Sequence, residues 1–595
     1  MTEPVGTPWL KSYGQVNFHQ QYPDGTMFAF LEQTADAYPD AVAYDFLGRK
    51  ATYRQFIAEI RRMARSLSAF GIHEGERVTI CMPNTPQGII AFYALNLVGA
   101  IANMIHPLSS ENEIIFYLQE SESVAVLTLD QFYGKFAAIA KTHKLPRLII
   151  AGIADALPPL KKLGYRLTEG RKIAPVPQDD PNIILWNDLL ALGDRYSKPY
   201  EVKRQTADPA VILYSGGTSG KTKGILLTNL NFNALAVQTV AMAATFQPGD
   251  RVLAVMPIFH GFGLGIGIHT FLVNGGQCIL VPRFTPQTYA RLLNKEKPNY
   301  IAGVPTLYEA LLRNPELEDV DLSCLKGVFC GGDSLSIELK KKVDKFLADH
   351  NASVQILEGY GTTECVTASC ITPAHTSRVG SIGLPVPDTY YKIVAIGGSE
   401  EVPYGEEGEI CISGPTLMQE YINQPQETAQ TLRKHADGLT WLHTGDMGVM
   451  DEDGFLYFRQ RIKRMIISSG YSIYPSELEN ILDAHEKVLM SCVIGVPDQL
   501  KGQRVKAFIQ LQPKIDPDES VRDELLAYCR KHIARYSLPY AIEFRETLPR
   551  TLVGKVAYRL LEEEEAQRRV AEAEAEIMGT VMPQEGAETE ATAFS

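Results

Sequence analysis

Tyr214-Ser-Gly-Gly-Thr-Ser-Gly-Lys-Thr-Lys-Gly224 follows a short β-branched run at 210–215 and leads into Gly224-Ile-Leu-Leu-Thr228. Glycines and hydroxyls placed directly after a strand expose backbone N–H and O–H donors that can wrap phosphate oxygens. Ser215, Gly216, Gly217, Thr218, Ser219, Gly220 and Lys221 are therefore the candidate phosphate-contacting residues. The stretch nearly spells a Walker A loop, but that motif needs Gly where position 215 is Ser. The motif also opens a helix, whereas Gly224-Ile-Leu-Leu-Thr228 reads as a second strand. The reading is a phosphate loop set in a hairpin.

Outward from the loop, short β-branched runs at 77–83, 124–129, 147–152 and 251–257 alternate with helical patterns. That alternation predicts an α/β fold with parallel sheets and crossover helices. From about Gly380 the texture changes to shorter strands with Gly and Pro turns, as in a small barrel or antiparallel subdomain reaching to residue 460. After Arg461 an α+β unit begins, with a helix from Pro475 to His485 and strands at 488–496 and 506–512. The expected organisation is a large domain over 1–460, a small C-terminal domain over 461–560 and an acidic tail over 561–595.

The chain has 595 residues and a formal net charge of −13. Residues 561–595 hold ten Glu and two Arg, a net −8, which leaves only −5 on the body. An acidic balance argues against non-specific nucleic-acid binding, which needs a positive field. The tail starts as a helix with Glu564–Arg568 and Glu565–Arg569 in the stabilising i,i+4 order, and turns small and polar beyond Gly579. The nine cysteines stand singly, with no CxxC pair. This disfavours zinc and a disulfide framework and fits a reducing, cytoplasmic location. No signal peptide is read at the N-terminus. Charge-free stretches at 88–105 and 252–282 could be mistaken for membrane spans. Both read as buried core, because Asn96, Asn103, Pro257, His260 and Asn274 interrupt them.

Further motifs lie in order along the chain: Phe259-His-Gly-Phe262, Gly359-Tyr-Gly-Thr-Thr-Glu364, Gly408-Glu-Ile-Cys-Ile-Ser-Gly-Pro415, Thr444-Gly-Asp446, Arg461-Ile-Lys463, Gly470 with Pro475 and Glu477, and Pro549-Arg-Thr-Leu-Val-Gly-Lys555. Together with the loop, this set resembles the adenylate-forming superfamily of acyl-CoA synthetases, luciferases and adenylation domains. The resemblance implies a large domain of two doubly wound sheets plus a small barrel-like subdomain, and a small mobile α+β C-terminal domain. It also implies ATP and CoA as co-substrates and Mg²⁺ as cofactor. Glu364 would hold Mg²⁺ on the phosphates, with Thr218 assisting indirectly; one carboxylate plus waters suits that ion. Tyr360 would stack on adenine beside Gly361, Thr362 and Thr363, with Gly332 and Asp333 lining the nucleotide. Asp446 would accept both ribose hydroxyls, Arg461 would support the ribose-phosphate region, and Lys555 would bridge acyl and α-phosphate oxygens in the transition state. Many relatives carry Ala where this chain has Asp333. Lys463 falls at the family's hinge, and Gly470 and Tyr471 would meet the CoA thiol. Gly331-Gly-Asp-Ser-Leu335 mimics a phosphopantetheine-attachment signature at Ser334, but its place in the order makes it the family's small Gly-rich loop.

The same resemblance puts His260, Gly261, Phe262, Gly265, Gly303, Gly331 and Gly361 around the acyl group. Several glycines in one helix either leave room for a bound chain or permit tight helix packing, and the sequence leaves both open. No Lys or Arg in the charge-free stretch could pair with a second carboxylate, and no Asp is placed to hold an amino group. Gly303-Val-Pro-Thr-Leu-Tyr308 and Gly380-Ser-Ile-Gly-Leu-Pro-Val-Pro387 look most like bacterial fatty acid–CoA ligases. The expected activity is ATP-dependent ligation of a medium- to long-chain fatty acid to CoA. An aryl or other hydrophobic acid, and a non-catalytic nucleotide or acyl-CoA sensor on the same fold, stand as alternatives. A monomer or homodimer is expected. Membrane contact would be peripheral, and no basic amphipathic helix is read that would dock the chain on a bilayer.

Overall fold

The computed structural model describes residues 5–177, 179–215, 222–243, 245–469, 471–498, 500–551 and 555–580. They divide into two compact units, one of residues up to 463 with Lys555, the other of 464–551 with residues from 556 onward.

In the first unit an eight-stranded sheet has the order Glu420–Tyr421, Gly224–Thr228, Pro209–Tyr214, Ile101–Met104, Arg77–Cys81, Ala125–Leu129, Arg147–Ala151, Ile183–Leu185. Its pairs are parallel from Pro209–Tyr214 onward. The Gly224–Thr228 strand adds antiparallel at the edge, as the hairpin reading requires. A nine-stranded sheet is parallel through Ile356–Tyr360, Gly327–Gly331, Tyr300–Gly303, Arg251–Ala254, Gln277–Leu280 and Val42–Phe46, with antiparallel strands at both edges. Strands buried on both faces read as continuous apolar runs, which is why the alternation was visible in the sequence. The antiparallel subdomain is a five-stranded sheet built on the long strand Thr440–Met450.

Both charge-free stretches lie in the core. The helix Pro86–Leu97 is buried on every side, and Thr85 caps it by accepting from Gly88 N; a helix apolar all round must be covered all round. Buried asparagines of this stretch are tied to the surrounding core. Asn96 Oδ1 accepts from Phe28 N at 2.9 Å, and Asn103 Nδ2 donates to Thr79 and Ser121 hydroxyls. Among the described residues no helix is long and apolar enough to cross a membrane.

The second unit has a five-stranded sheet led by the hairpin Val488–Asp498 and Gly502–Leu511, with the helices Pro475–Asp483 and Glu519–His532. Its chemistry corrects the picture of residues 561 onward as a detached tail. Leu561 is fully buried in a cluster with Cys492, Ile494, Val496, Phe508 and Leu548. Glu565 is buried and bonds the buried Lys506 ammonium at 2.8 Å, which Glu543 also meets at 2.6 Å. Arg568 pairs with Glu565 within the helix and with Glu543 outside it, and Arg545 pairs with Glu564, so Glu564 and Glu565 both hold the helix to the rest of the unit.

A second correction concerns the helix Pro159–Leu167, with sequence Pro-Leu-Lys-Lys-Leu-Gly-Tyr-Arg-Leu. It is amphipathic and basic, and its leucines are exposed. The sequence reading overlooked it because its mean composition is polar and its apolar positions are few.

Candidate active site

The phosphate-loop hairpin is pinned at its neck. Ser215 N donates to the Lys223 carbonyl at 3.2 Å, and Lys223 N returns a bond to Ser215 Oγ at 3.3 Å. Lys223 Nζ pairs with Glu427 and lies 4.6 Å over the Tyr421 ring. The Tyr421 hydroxyl in turn donates to Glu364 Oε1 at 2.7 Å. Tyr421 is on the edge strand that pairs with Gly224–Thr228, so the hairpin and the Glu364 carboxylate are held by one short strand.

Asp446 is 1% exposed. Register places it directly across from Arg461 on the neighbouring strand. Arg461 Nε meets its Oδ1 at 2.9 Å, and the Tyr360 hydroxyl donates to its Oδ2 at 2.6 Å. Burial pushes the Asp446 carboxyl up from its ordinary range, and Arg461 and Tyr360 pull it back. The turn before it is fixed by a second buried carboxylate. Glu409 accepts from Gly445 N at 3.0 Å and from His443 Nδ1 at 2.9 Å, and Gly445 has φ +70°, a conformation that glycine adopts without penalty.

Lys555 reaches the first unit's site. A Cβ on Gly332 would lie 3.7 Å from its Cε. Loss of solvent pushes its amine below the ordinary lysine range; Asp333 opposes this most, Arg461 adds to it, and Asp446 opposes it. Asp333, unusual at this position by resemblance, thus acts as the leading counter-charge to Lys555. His260 Nδ1 accepts from Phe262 N at 3.2 Å, which leaves its proton on Nε2. Its dry surroundings and then the Lys555 charge push its pKa down to about 3, so the ring is neutral.

Beside these groups runs a cavity open to solvent at its mouth. Gly331, Gly332 and Gly359 line it at the carboxyl ends of parallel strands, where α/β folds bind ligands. It continues along the sheet to Tyr300 and Val252 at the strands' opposite ends, with Phe246 and Phe271 packed edge-on at 5.4 Å. None of the described residues lining it is charged. One wall is the π-helix Phe262–Thr270, a rare winding that recurs at functional sites, through Phe262, Ile266 and Thr270.

A model of the AMP-binding enzyme family matches residues 31–422, and a model of the AMP-binding enzyme C-terminal domain matches residues 477–555. The chain belongs to the AMP-binding enzyme family. It is 35% identical over 570 residues to the long-chain-fatty-acid–CoA ligase of Bacillus subtilis (strain 168), covering 94% of this chain and 98% of that one. It is 33% identical to the enzyme of that name from Yersinia pestis, again over 94% and 98% of the two chains. Among solved structures it resembles ATP-bound MatB from Rhodopseudomonas palustris, at 25% identity and TM-score 0.78, over 91% and 99% of the two chains.

For this AMP-binding enzyme the structure gathers Glu364, Tyr360, Asp446, Arg461, His260, Asp333 and Lys555 around the strand ends. Gly216, Gly217, Thr218, Ser219, Gly220, Lys221 and Gly470 lie outside the described residues. Thr362 is buried, with its N–H directed at Cys365 Sγ, and it heads the short 3₁₀ turn Thr363–Cys365 that carries Glu364. Lys463 is exposed on the turn Ile462–Arg464, and Tyr471 stacks on Tyr536 at 4.6 Å. Of the expected acyl-pocket residues, Phe262 and Gly331 line the cavity, whereas His260, Gly261, Gly265, Gly303 and Gly361 do not. The glycines are explained one by one. A Cβ on Gly261 would lie 1.7 Å from the Val366 carbonyl oxygen, on Gly263 2.1 Å from that of Pro257, and on Gly265 2.6 Å from Leu235 Cδ2. Tight packing accounts for these three. Val366 itself holds φ +66° in a turn closed by Thr367 N to the Cys365 carbonyl, strained for a β-branched residue. Motif reading missed Tyr421, Lys223, Phe246 and Tyr300; only Lys223 stood inside a recognisable signature.

Gly261→Ala should destabilise the protein by about 1–3 kcal/mol, the usual penalty for overpacking. Gly267→Ala, whose Cβ would have no neighbour nearer than 3.8 Å, should change stability by less than about 1 kcal/mol. Urea midpoints of the two variants check the contrast. A pH effect follows from His269, which is fully buried between Tyr93 Oη and Asn233 Oδ1, with its pKa pushed down to about 3 by burial. The unfolded ring binds a proton below about pH 6.5 and the native ring does not. The stability it contributes is complete above that pH and is lost as pH falls towards 3. His269→Gln should therefore flatten the acid loss of stability by about 1.4 kcal/mol per pH unit, read from urea midpoints between pH 6 and 4.

Proposed function

We propose that this AMP-binding enzyme activates a medium- to long-chain fatty acid with ATP, as an acyl-adenylate, and transfers it to CoA with release of pyrophosphate and AMP. The observation that carries this reading is the uncharged cavity ending at Gly331, Gly332 and Gly359 beside Tyr360 and Lys555. An apolar chain leaves every wall satisfied, whereas a second carboxylate or an ammonium would be buried without a partner. The names of the Bacillus and Yersinia relatives agree with the aliphatic choice.

In this reading the fatty carboxylate lies at the cavity mouth and attacks the α-phosphorus. Lys555 places its ammonium where negative charge gathers on acyl and α-phosphate oxygens, with Asp333 favouring its protonated form. Electrostatic preorganisation of this kind lowers the barrier without reorganisation at the moment of reaction. Asp446, freed from the Tyr360 hydroxyl, accepts the ribose hydroxyls while Arg461 keeps it ionised. Tyr360 presents its ring to adenine, and neutral His260 donates from Nε2 without adding charge. The half-buried Glu364 carboxylate, anchored through one oxygen by Tyr421, suits Mg²⁺, which takes one or two carboxylates with phosphates and water. That ion would neutralise the triphosphate. Lys463, exposed at the end of the first unit, is the proposed pivot for the change of half-reaction, and Tyr471 the proposed neighbour of the CoA thiol. The nine free cysteines fit a reducing cytoplasm.

Pyrophosphate release should rise with aliphatic chain length, and stay low with dicarboxylic and amino acids; equal rates across these classes would overturn the substrate assignment. In the same assay Lys555→Ala should slow adenylate formation about 10²–10³-fold, yet convert supplied acyl-adenylate and CoA at close to the parental rate. Equal loss of both half-reactions would remove Lys555 from its role.

A further inference from the structure

The helix Pro159–Leu167 is attached to the first unit by the wrong face. Leu160, Leu163 and Leu167 fall within about 60° of one another around the helix axis. They are 87%, 60% and 53% exposed. Lys161, Lys162 and Tyr165 lie about 130° or more from the centre of that stripe, and these hold the helix to the body. Lys161 Nζ donates to the Leu47 carbonyl at 2.6 Å, Lys162 Nζ pairs with Asp155 at 3.3 Å, and Tyr165 is half-buried. An ordinary surface helix does the reverse, burying its apolar stripe and solvating its charges.

The charge of this segment is mostly positive, with Glu169 pairing Lys172 at 2.8 Å. Residues 159–172 contain five basic side chains and one acidic one, in a chain whose net charge is −13. Arg171 and Lys172 are exposed on the 3₁₀ turn that follows the helix. A leucine stripe flanked by cations on an otherwise acidic protein is complementary to a surface that is apolar within and anionic at its face.

We propose that the helix Pro159–Leu167, with the Arg171–Lys172 turn, docks the protein on an anionic phospholipid bilayer, its three leucines entering the headgroup–acyl boundary. Short interfacial helices with polar average composition and a concentrated apolar face bind membranes in this way. The docking rests on the surface alone. Its use, collecting a fatty acid from the bilayer in which it partitions, rests on the proposed function.

Flotation of the full chain with vesicles tests the docking and requires no turnover. Wild-type protein should float with vesicles of phosphatidylcholine mixed with phosphatidylglycerol, far less with pure phosphatidylcholine, and less as salt is added, about fivefold for each basic residue engaged. The triple variant Leu160→Ser, Leu163→Ser, Leu167→Ser should lose partitioning about tenfold or more. It should keep the parental melting temperature and parental turnover of a short, water-soluble acid, because these side chains are already in solvent. Wild-type protein that stays unbound with anionic vesicles would overturn the proposal, as would a triple variant that floats like the parent. Wild-type dimers that become monomers in the triple variant, without wild-type flotation, would assign the leucine face to a second copy and also overturn it. Failure to release pyrophosphate with any fatty acid would sink the proposed function and leave the flotation result standing.

Discussion

A carboxylate stripped of water joins two sheets of the first unit. Asp446 stands on the long antiparallel strand, Tyr360 ends a parallel strand of the nine-stranded sheet, and the two meet at 2.6 Å. Burying a charge costs several kcal/mol unless it is paired and hydrogen-bonded. The pairing is thus a condition on the architecture: Arg461 must be in register with Asp446, and Tyr360 must reach it from the other sheet. Glu409 sets the turn through the Gly445 N–H and the His443 ring, so one buried carboxylate positions another. The same place borders the uncharged cavity, which Gly359, next to Tyr360, helps to line.

What could be read from the sequence had a local signature. The hairpin after Tyr214 was visible because a β-branched run follows the loop where a helix would be needed for a Walker motif. The parallel sheets were visible because strands covered on both faces are continuous apolar runs. Glu364, Tyr360, Asp446, Arg461 and Lys555 were visible because the resemblance placed them in order. The far end of the cavity had no such mark. Phe246, Phe271 and Tyr300 are ordinary core aromatics in sequence, and only packing brings them to one end of the sheet. The glycines at 261, 263 and 265 also needed coordinates, since an absent Cβ looks the same whether it makes room for ligand or for a neighbouring carbonyl.

Charge counting misled in two places for one reason. Net charge over a segment does not say whether its charges are solvated. Residues 561 onward are acidic in sum, yet Glu565 is buried against Lys506 and Leu561 is in the core. Residues 159–172 are basic and polar on average, yet their three leucines share one face and are exposed. The body's modest −5 likewise says nothing of where its cations stand, and Lys223, Arg461 and Lys555 all lie in the candidate site.

The Lys506 ammonium has a consequence for how the chain is made. It lies on the central hairpin of the second unit, while its partners Glu543 and Glu565 come 37 and 59 residues later. During synthesis at roughly 5–20 residues per second, the hairpin emerges seconds before the carboxylates that neutralise it. Burial in that interval would leave a charge without a counter-ion, so the hairpin stays hydrated until Glu565 arrives. The buried ammonium therefore has its full set of counter-charges only in a chain that has been made as far as Glu565.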